Sequence, residues 1–516
     1  MEVDEEQHLV YESPASAVFN NFDLVLKILE EETDDIKNNM ELRRLNRTFR
    51  DAYHVILRKT HQNLKIEYIY PRSRVLAPPR PVPISNDRIY INHCRFKIPN
   101  LDNYFPFLRN IVKVKIQSIV VKDLWRLEPS IRLSLYKNIK SLIGHERDSL
   151  KKLIGIDEIC PENYEDSLWI PEKCEEYGPL RLEHLQESFT KPRVFETLIV
   201  PDYLLDDIAN SCVESTQFRE ECLKAVSDFI PANISCKTLI LKISEKRNGW
   251  IDPETNADAQ QRMRMHPITD HQAMPREVME LMLKQWKVQS VVLKFVHQTN
   301  RSDYKGEWTR KDWFTRLYFK DSYIHINKSD PSLKIKEVLV DLTDSLRCNV
   351  NLRLSYVYNI PRVTYVDLPS IIRRVFSNDK LKILFSHYRI SPYSSIARVA
   401  GGMMKIINAD APQNLEVEII NMYLAWNTDM DYFKKLTKQE PHLHPAVFRD
   451  FHISELPKRV YLSHRTFDRK NPQSYPIIKK EWVGRSFQLI NKERNCTIKW
   501  TLFENENLLV KNHRIN

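Results

Sequence analysis

Apolar residues recur at two periods along this chain, and the change of period divides it. From Phe19 to Lys59 the period is helical. Phe22, Val25, Leu26, Ile28 and Leu29 fall on one face of a first helix. Asn20 and Asn21 can cap its start, and Asp23 stands where the helix dipole favours a negative charge. Leu42, Leu45, Phe49, Tyr53 and Ile56 make one stripe of a second helix. Asn38 and Glu41 have the spacing of a capping box, with Asn in place of Ser or Thr. Arg43, Arg44, Arg47 and Arg50 lie off that stripe.

Beyond this helical stretch the pattern alternates. Residues 64–69, 88–91 and 111–116 read as strands, and the prolines of 71–83 make the first gap a surface loop. Residues 126–153 return to helix, with Leu133, Tyr136, Ile139, Leu142 and Ile143 in phase. Residues 161–179 are loop-like and acidic, and mark a boundary. From Val194 onward, helix and strand alternate. Strands are expected at 196–200, 237–243, 291–296, 337–340, 381–385, 414–420 and 459–462, with helices at 203–209, 218–229, 275–286 and 369–376 between them. The strand centres Ile199, Leu241, Leu293, Leu339 and Leu384 are about 40 to 50 residues apart, a period typical of repeat arrays. An ordinary α/β domain with crossovers of similar length would read the same way. Residues 486–490 and 497–502 alternate about the turn-forming 491–495, which predicts a hairpin.

Composition narrows the function classes. Only 8 of 516 residues are Gly, and neither GxGxxG nor GxxxxGK[ST] occurs, which argues against a glycine-rich phosphate loop. The 78 basic and 68 acidic residues are interspersed, so the net charge of +10 reads as a mixed, solvated surface. The acidic start, Met1 to Glu6, is unlike a signal peptide, and no apolar run approaches the ~20 residues of a membrane span. Eight cysteines are scattered without a C-x-x-C pair, as expected of buried thiols in a reducing compartment. A cytoplasmic or nuclear protein is therefore expected.

Candidate chemistry is sparse. His442 and His444 could share a strand face, but Pro441 and Pro445 bracket them and further zinc ligands at sensible spacing are lacking. His266 and His271 lie in a polar segment read as loop. Neither G-x-S-x-G nor H-E-x-x-H occurs. Asp34–Asp35 and Asp206–Asp207 are sequence neighbours, so on a helix their side chains diverge. Trp308 and Trp313 among Arg301, Lys305, Arg310, Lys311 and Arg316 could stack bases and hold phosphates. Asp303, Glu307 and Asp312 interrupt that charge, and an exposed loop is the plainer reading. No catalytic residue, metal ligand or cofactor is expected.

Residues 22–29, a polar linker and residues 41–51 resemble an F-box, and the irregular helix-then-strand units that follow resemble F-box proteins of the nematode type. The family opens with Leu-Pro where this chain has Asn21-Phe22, and the step from Leu45 to Phe49 is shorter than usual. The aromatic or Cys often found near Asn46 in the family is absent. The resemblance implies a substrate-recognition adaptor of an SCF-type cullin–RING ubiquitin ligase. Leu24, Val25, Ile28, Leu29, Leu42, Leu45 and Phe49 would dock on the Skp-type adaptor. The expected fold is α+β: an acidic tail (1–17), the F-box-like helices (18–60), a mixed β/α region with a Pro-rich loop (61–190), an irregular, leucine-rich-horseshoe-like α/β array that binds a protein substrate (191–470) and a C-terminal β-hairpin region (471–516). A scaffold without a ligase role and a nucleic-acid-binding protein are the alternatives.

Overall fold

The computed structural model describes residues 18–31, 42–68, 88–92, 94–97, 100–122, 124, 127, 129–156, 170–187, 189, 191–212, 218–244, 273, 275–296, 334–341, 377–387, 414–424, 427–444, 448–467 and 477–505. The chain is α+β and divides into two compact units, residues 1–179 and 180–516.

The first unit opens with the helices α1 (Phe22–Glu31) and α2 (Arg47–Thr60). Its sheet runs β3–β2–β1–β4–β5–β6, with β1 (Asn63–Tyr68), β2 (Arg88–Ile91), β3 (Cys94–Lys97), β4 (Ser118–Lys122), β5 (Lys152–Ile154) and β6 (Glu176–Gly178). The β1–β2–β3 ladders are antiparallel, and those from β1 through β4 and β5 to β6 are parallel. Helices α3 (Leu101–Pro106) and α4 (Pro129–His145) complete it, and α3 continues into a π-helical turn, Phe107–Val112. After β5 the chain turns at Gly155, whose φ is +80°. A Cβ there would lie 2.2 Å from the Val121 carbonyl oxygen, so only glycine fits.

Two expectations shift here. The alternation at 111–116 is real in burial, since Val112, Val114 and Ile116 are inside while Ile111, Lys113 and Lys115 are outside. It is not a strand. Lys113 turns left-handed (φ 57°), the Val114 N–H returns to the Leu108 carbonyl, and the ladder to β1 starts only at Ser118. The helix expected over 126–153 is shorter: α4 ends at His145, and Leu153 belongs to β5.

The second unit begins with α5 (Leu182–Glu187). Six parallel strands then lie side by side in chain order: β7 (Arg193–Pro201), β8 (Ile234–Ser244), β9 (Ser290–Val296), β10 (Lys334–Asp341), β11 (Ser377–His387) and β12 (Leu415–Leu424). Neighbour order of this kind fits both the array and the ordinary α/β domain that the strand spacing suggests. Helices α6 (Asp202–Ser211) and α7 (Arg219–Phe229) lie between β7 and β8, and α8 (Pro275–Gln285) precedes β9. The expected helix at 369–376 and the loop of 71–83 lie outside the described residues.

Sequence order breaks after β12. The chain forms α9 (Asn427–Lys438), β13 (His452–Glu455) and β14 (Val460–Phe467), then the long β15 (Ile477–Asn491) and β16 (Cys496–Asn505). Strand β16 adds parallel to β12 and antiparallel to β15, while β13 and β14 both pair with β15. Asn491 meets Cys496 across the hairpin, and its side-chain oxygen accepts the Arg494 N–H within the expected turn.

Two rows of side chains cross the array and form its core. Leu198, Leu239, Val291, Val338, Leu381, Leu415 and Cys496 stand in register, as do Val200, Leu241, Leu293, Val340, Ile383, Val417 and Ile498. All are buried. The helices bury residues of their own, among them Leu204, Ile208, Val226 and Met282, and Trp286 is buried just past the end of α8. On α9, Phe433 stacks on Phe487 (4.9 Å between ring centroids) and lies 5.3 Å from Trp500.

Candidate functional site

The first candidate surface is the helix pair of the first unit. Asn21 caps α1 as expected, its Oδ1 accepting the Leu24 N–H at 3.1 Å. Phe19 packs on Phe49 (5.6 Å) at one end of the pair, and Lys59 bonds Glu30 (2.8 Å) at the other, so the two helices run in the same direction. Helix α2 starts later than its apolar stripe suggests. Asn46 is extended, and its Oδ1 accepts the Phe49 N–H at 2.9 Å, which sets the cap there. Leu42 and Leu45 therefore precede the helix, in a short turn closed by the Leu45 N–H to the Leu42 carbonyl (3.0 Å). The capping-box positions Asn38 and Glu41 lie outside the described residues.

This start divides the seven predicted docking residues. Val25, Leu29 and Phe49 are buried between the helices, and Leu42 is half-buried. Leu24, Ile28 and Leu45 face solvent, at 44%, 42% and 63% exposure. The first three hold the pair together, and the last three are available to a partner.

Arginines surround the start of α2. Arg43 lies over the Phe107 ring, 4.8 Å from its centroid. Arg47 and Arg50 both approach Asp51, at 3.6 and 3.5 Å. Further along, the Arg58 Nε–H donates to the Val112 carbonyl (2.8 Å), tying α2 to the π-helical turn. His54 on this helix is pushed below its usual range, first by burial and then by Arg58, with Arg50 and Arg43 adding and Asp51 opposing.

The second candidate surface is the other face of the array. There Ile199, Ile240, Val292 and Leu339 stand in register with Lys382, Glu416 and Thr497. Except for Ile199, these residues are half-exposed. On this face a single apolar row therefore runs over β7 to β10, between the polar row Thr197–Thr238–Ser290–Glu337 and the row that holds Lys242, Lys294 and Asp341, and over β11, β12 and β16 the face is ionic. In the ionic part Lys380 and Lys382 reach Glu416 (2.8 and 3.1 Å), and Lys382 and Lys499 reach Glu418 (3.7 and 3.0 Å). The Lys380 hydrogen bond holds the Glu416 carboxyl below its usual range against the opposing effect of burial, and Glu416 in turn raises Lys380. The signal for this ladder was present in the sequence as Lys-x-Lys at 380–382 and Glu-x-Glu at 416–418. The parallel register was needed to pair them.

The remaining motifs go elsewhere. His442 is exposed beside Glu440 (3.2 Å). His444 is buried, with Nε2 at 2.9 Å from the Leu436 carbonyl at the end of α9, so the two imidazoles do not converge. Cys94, Cys174, Cys212, Cys222, Cys236 and Cys496 are buried free thiols, as expected, and burial pushes Cys236 up to about 12 and Cys496 up to about 11. Asp206 and Asp207 are half-buried on α6. Cys160, Cys348, Asp34, Asp35, His266, His271 and the Trp308–Trp313 cluster lie outside the described residues. Among the described residues, no helix is long and apolar enough to cross a membrane.

A family model described as Regulator protein PHA-1 matches residues 45–489. The match takes in α2 and most of the sheet and begins after α1. No curated protein and no solved structure matches the chain.

Proposed function

The chain belongs to the Regulator protein PHA-1 family, and from its two candidate surfaces we propose that it is a non-enzymatic substrate-recognition adaptor of an SCF-type cullin–RING ubiquitin ligase. Helices α1 and α2 dock on the Skp-type adaptor, and the open face of the array takes a protein substrate. The observation that carries the docking role is the exposure of Leu24, Ile28 and Leu45 on a pair of helices that already buries Val25, Leu29 and Phe49. Apolar residues held in water on a short helical module are what a helix-in-groove partner covers. The half-exposed row Ile240–Val292–Leu339 supports the substrate role, because a face that stays accessible on a repeat array is its usual binding surface. Bond chemistry belongs, on this reading, to a conjugating enzyme carried by the RING subunit.

The test is co-purification of the full chain with a Skp-type adaptor. Wild type is expected to bind, and Leu24→Asp/Ile28→Asp and Leu45→Asp to lose binding while keeping a native thermal transition. Phe49→Asp is the contrasting variant, since it places a charge in the buried helix contact and unfolds the module. A folded wild type that captures no adaptor overturns the ligase role and leaves a scaffold. Steeply salt-dependent capture of RNA or DNA in its place favours the nucleic-acid reading.

A further inference from the structure

Arginines cluster at the start of α2. Arg43, Arg47 and Arg50 stand within residues 42–51, where Asp51 is the single described carboxylate. Arg47 and Arg50 are 85% and 51% exposed. Both share Asp51 at separations long for charge-assisted hydrogen bonds, which leaves their guanidinium forks able to take further acceptors. The same few residues carry apolar surface. Leu45 is the neighbour of the cap Asn46, and the Asn46 Nδ2 donates to the carbonyl of Phe19 (3.2 Å), whose exposed ring rests on Phe49. Cationic forks and apolar side chains therefore meet at one end of the helix pair.

Resting on the docking role proposed above, we propose that this end reads an acidic protein segment: Arg47 and Arg50 pair with its carboxylates while Leu45 and Phe19 take an apolar side chain between them. A carboxylate matches the planar guanidinium fork in a bidentate pair. Of the two apolar groups Leu45 is aliphatic and only Phe19 could stack on a base, and Asp51 beside Arg47 and Arg50 repels a phosphate backbone, so a protein segment fits better than a polynucleotide.

The test uses the full chain and three probes: a Glu–Tyr copolymer, polyglutamate and a single-stranded oligonucleotide. The copolymer is expected to bind most tightly and to weaken between about 50 and about 300 mM salt. Arg47→Glu/Arg50→Glu should weaken it at least about fivefold with the far-ultraviolet dichroism unchanged. Leu45→Ser should narrow the gap between copolymer and polyglutamate. Failure to bind either polymer overturns the inference, whether because the surface has no such affinity or because an acidic segment of the chain itself fills it. Equal binding by the charge-reversed variant, or tighter binding of the oligonucleotide, overturns it as well. Adaptor co-purification separates this inference from the docking role. An adaptor bound equally by wild type and Arg47→Glu/Arg50→Glu overturns the inference alone, whereas copolymer binding without adaptor binding overturns the docking role alone.

Discussion

In the first unit the buried Tyr104 and His61 and the exposed Thr60 form a chain of hydrogen bonds whose direction is fixed at one end. The Thr60 hydroxyl donates to the Ile56 carbonyl (2.9 Å), so it accepts from His61 Nδ1 (2.8 Å). The Tyr104 hydroxyl then donates to His61 Nε2 at 2.7 Å. This assigns a neutral imidazole with its proton on Nδ1. Burial holds His61 down at about 4, against 6.5 in an unfolded chain. As pH falls through 6.5 the unfolded chain takes a proton that the native imidazole refuses until about 4, so stability is lost across that window. The loss is roughly 1.4 kcal/mol per pH unit, or about 2 kcal/mol from pH 6.5 to pH 5. Urea unfolding at pH 7 and pH 5 should show that much less pH dependence in a His61→Leu/Tyr104→Phe variant. Asn46 acts at the same scale: Asn46→Ala should cost about 1 kcal/mol in the same assay, because the Phe49 N–H loses its acceptor. Such single-residue roles were only partly legible. Asn21 stood beside a clear apolar stripe and was readable as a cap. Asn46 lay inside a stripe that continued through it, and the stripe concealed the helix start.

Strand β9 shows how differently two adjacent positions of one element act. Leu293 belongs to a buried row and Val292 to the half-exposed one. Leu293→Ala should cost roughly 2–5 kcal/mol in urea unfolding. Val292→Asp should retain the fold and the docking on the adaptor, and should abolish substrate capture if the open face is the binding face. Strands such as β8, β9 and β12, and the β15–β16 hairpin, were legible because alternation survives in short windows. Residues 111–116 had the alternation without the ladder, since nothing local marks where a partner strand begins. The strand β13 and the helix α9 left weaker signals. The apolar contribution of α9 rests on a few residues, with Phe433 meeting Phe487 and Trp500 only after the chain has returned from far along the sequence.

For the chain as a whole, the spacing of strands pointed to an irregular α/β array or to an ordinary α/β domain with similar crossovers, and the second unit lays six parallel strands side by side in chain order. The end of the array was not foretold. The insertion of β16 beside β12, with β15 outside it, is a long-range pairing that no local period records. The passage of that face's central row from apolar to ionic has the same origin, because it exists only once Leu339, Lys382 and Glu416 are brought into register. The seven residues proposed to dock were named from the sequence as a group. Which of them hold the helices together and which face outward was decided by packing, and Leu24, Ile28 and Leu45 emerged as the outward set.

The most direct measurement is hydrogen exchange on the full chain with and without a Skp-type adaptor. New protection over 18–31 and 42–50, with the backbone of β8 and β9 unchanged until a substrate is added, is the predicted result. Absence of a complex, or protection that spares α1 and the start of α2, would contradict the adaptor role.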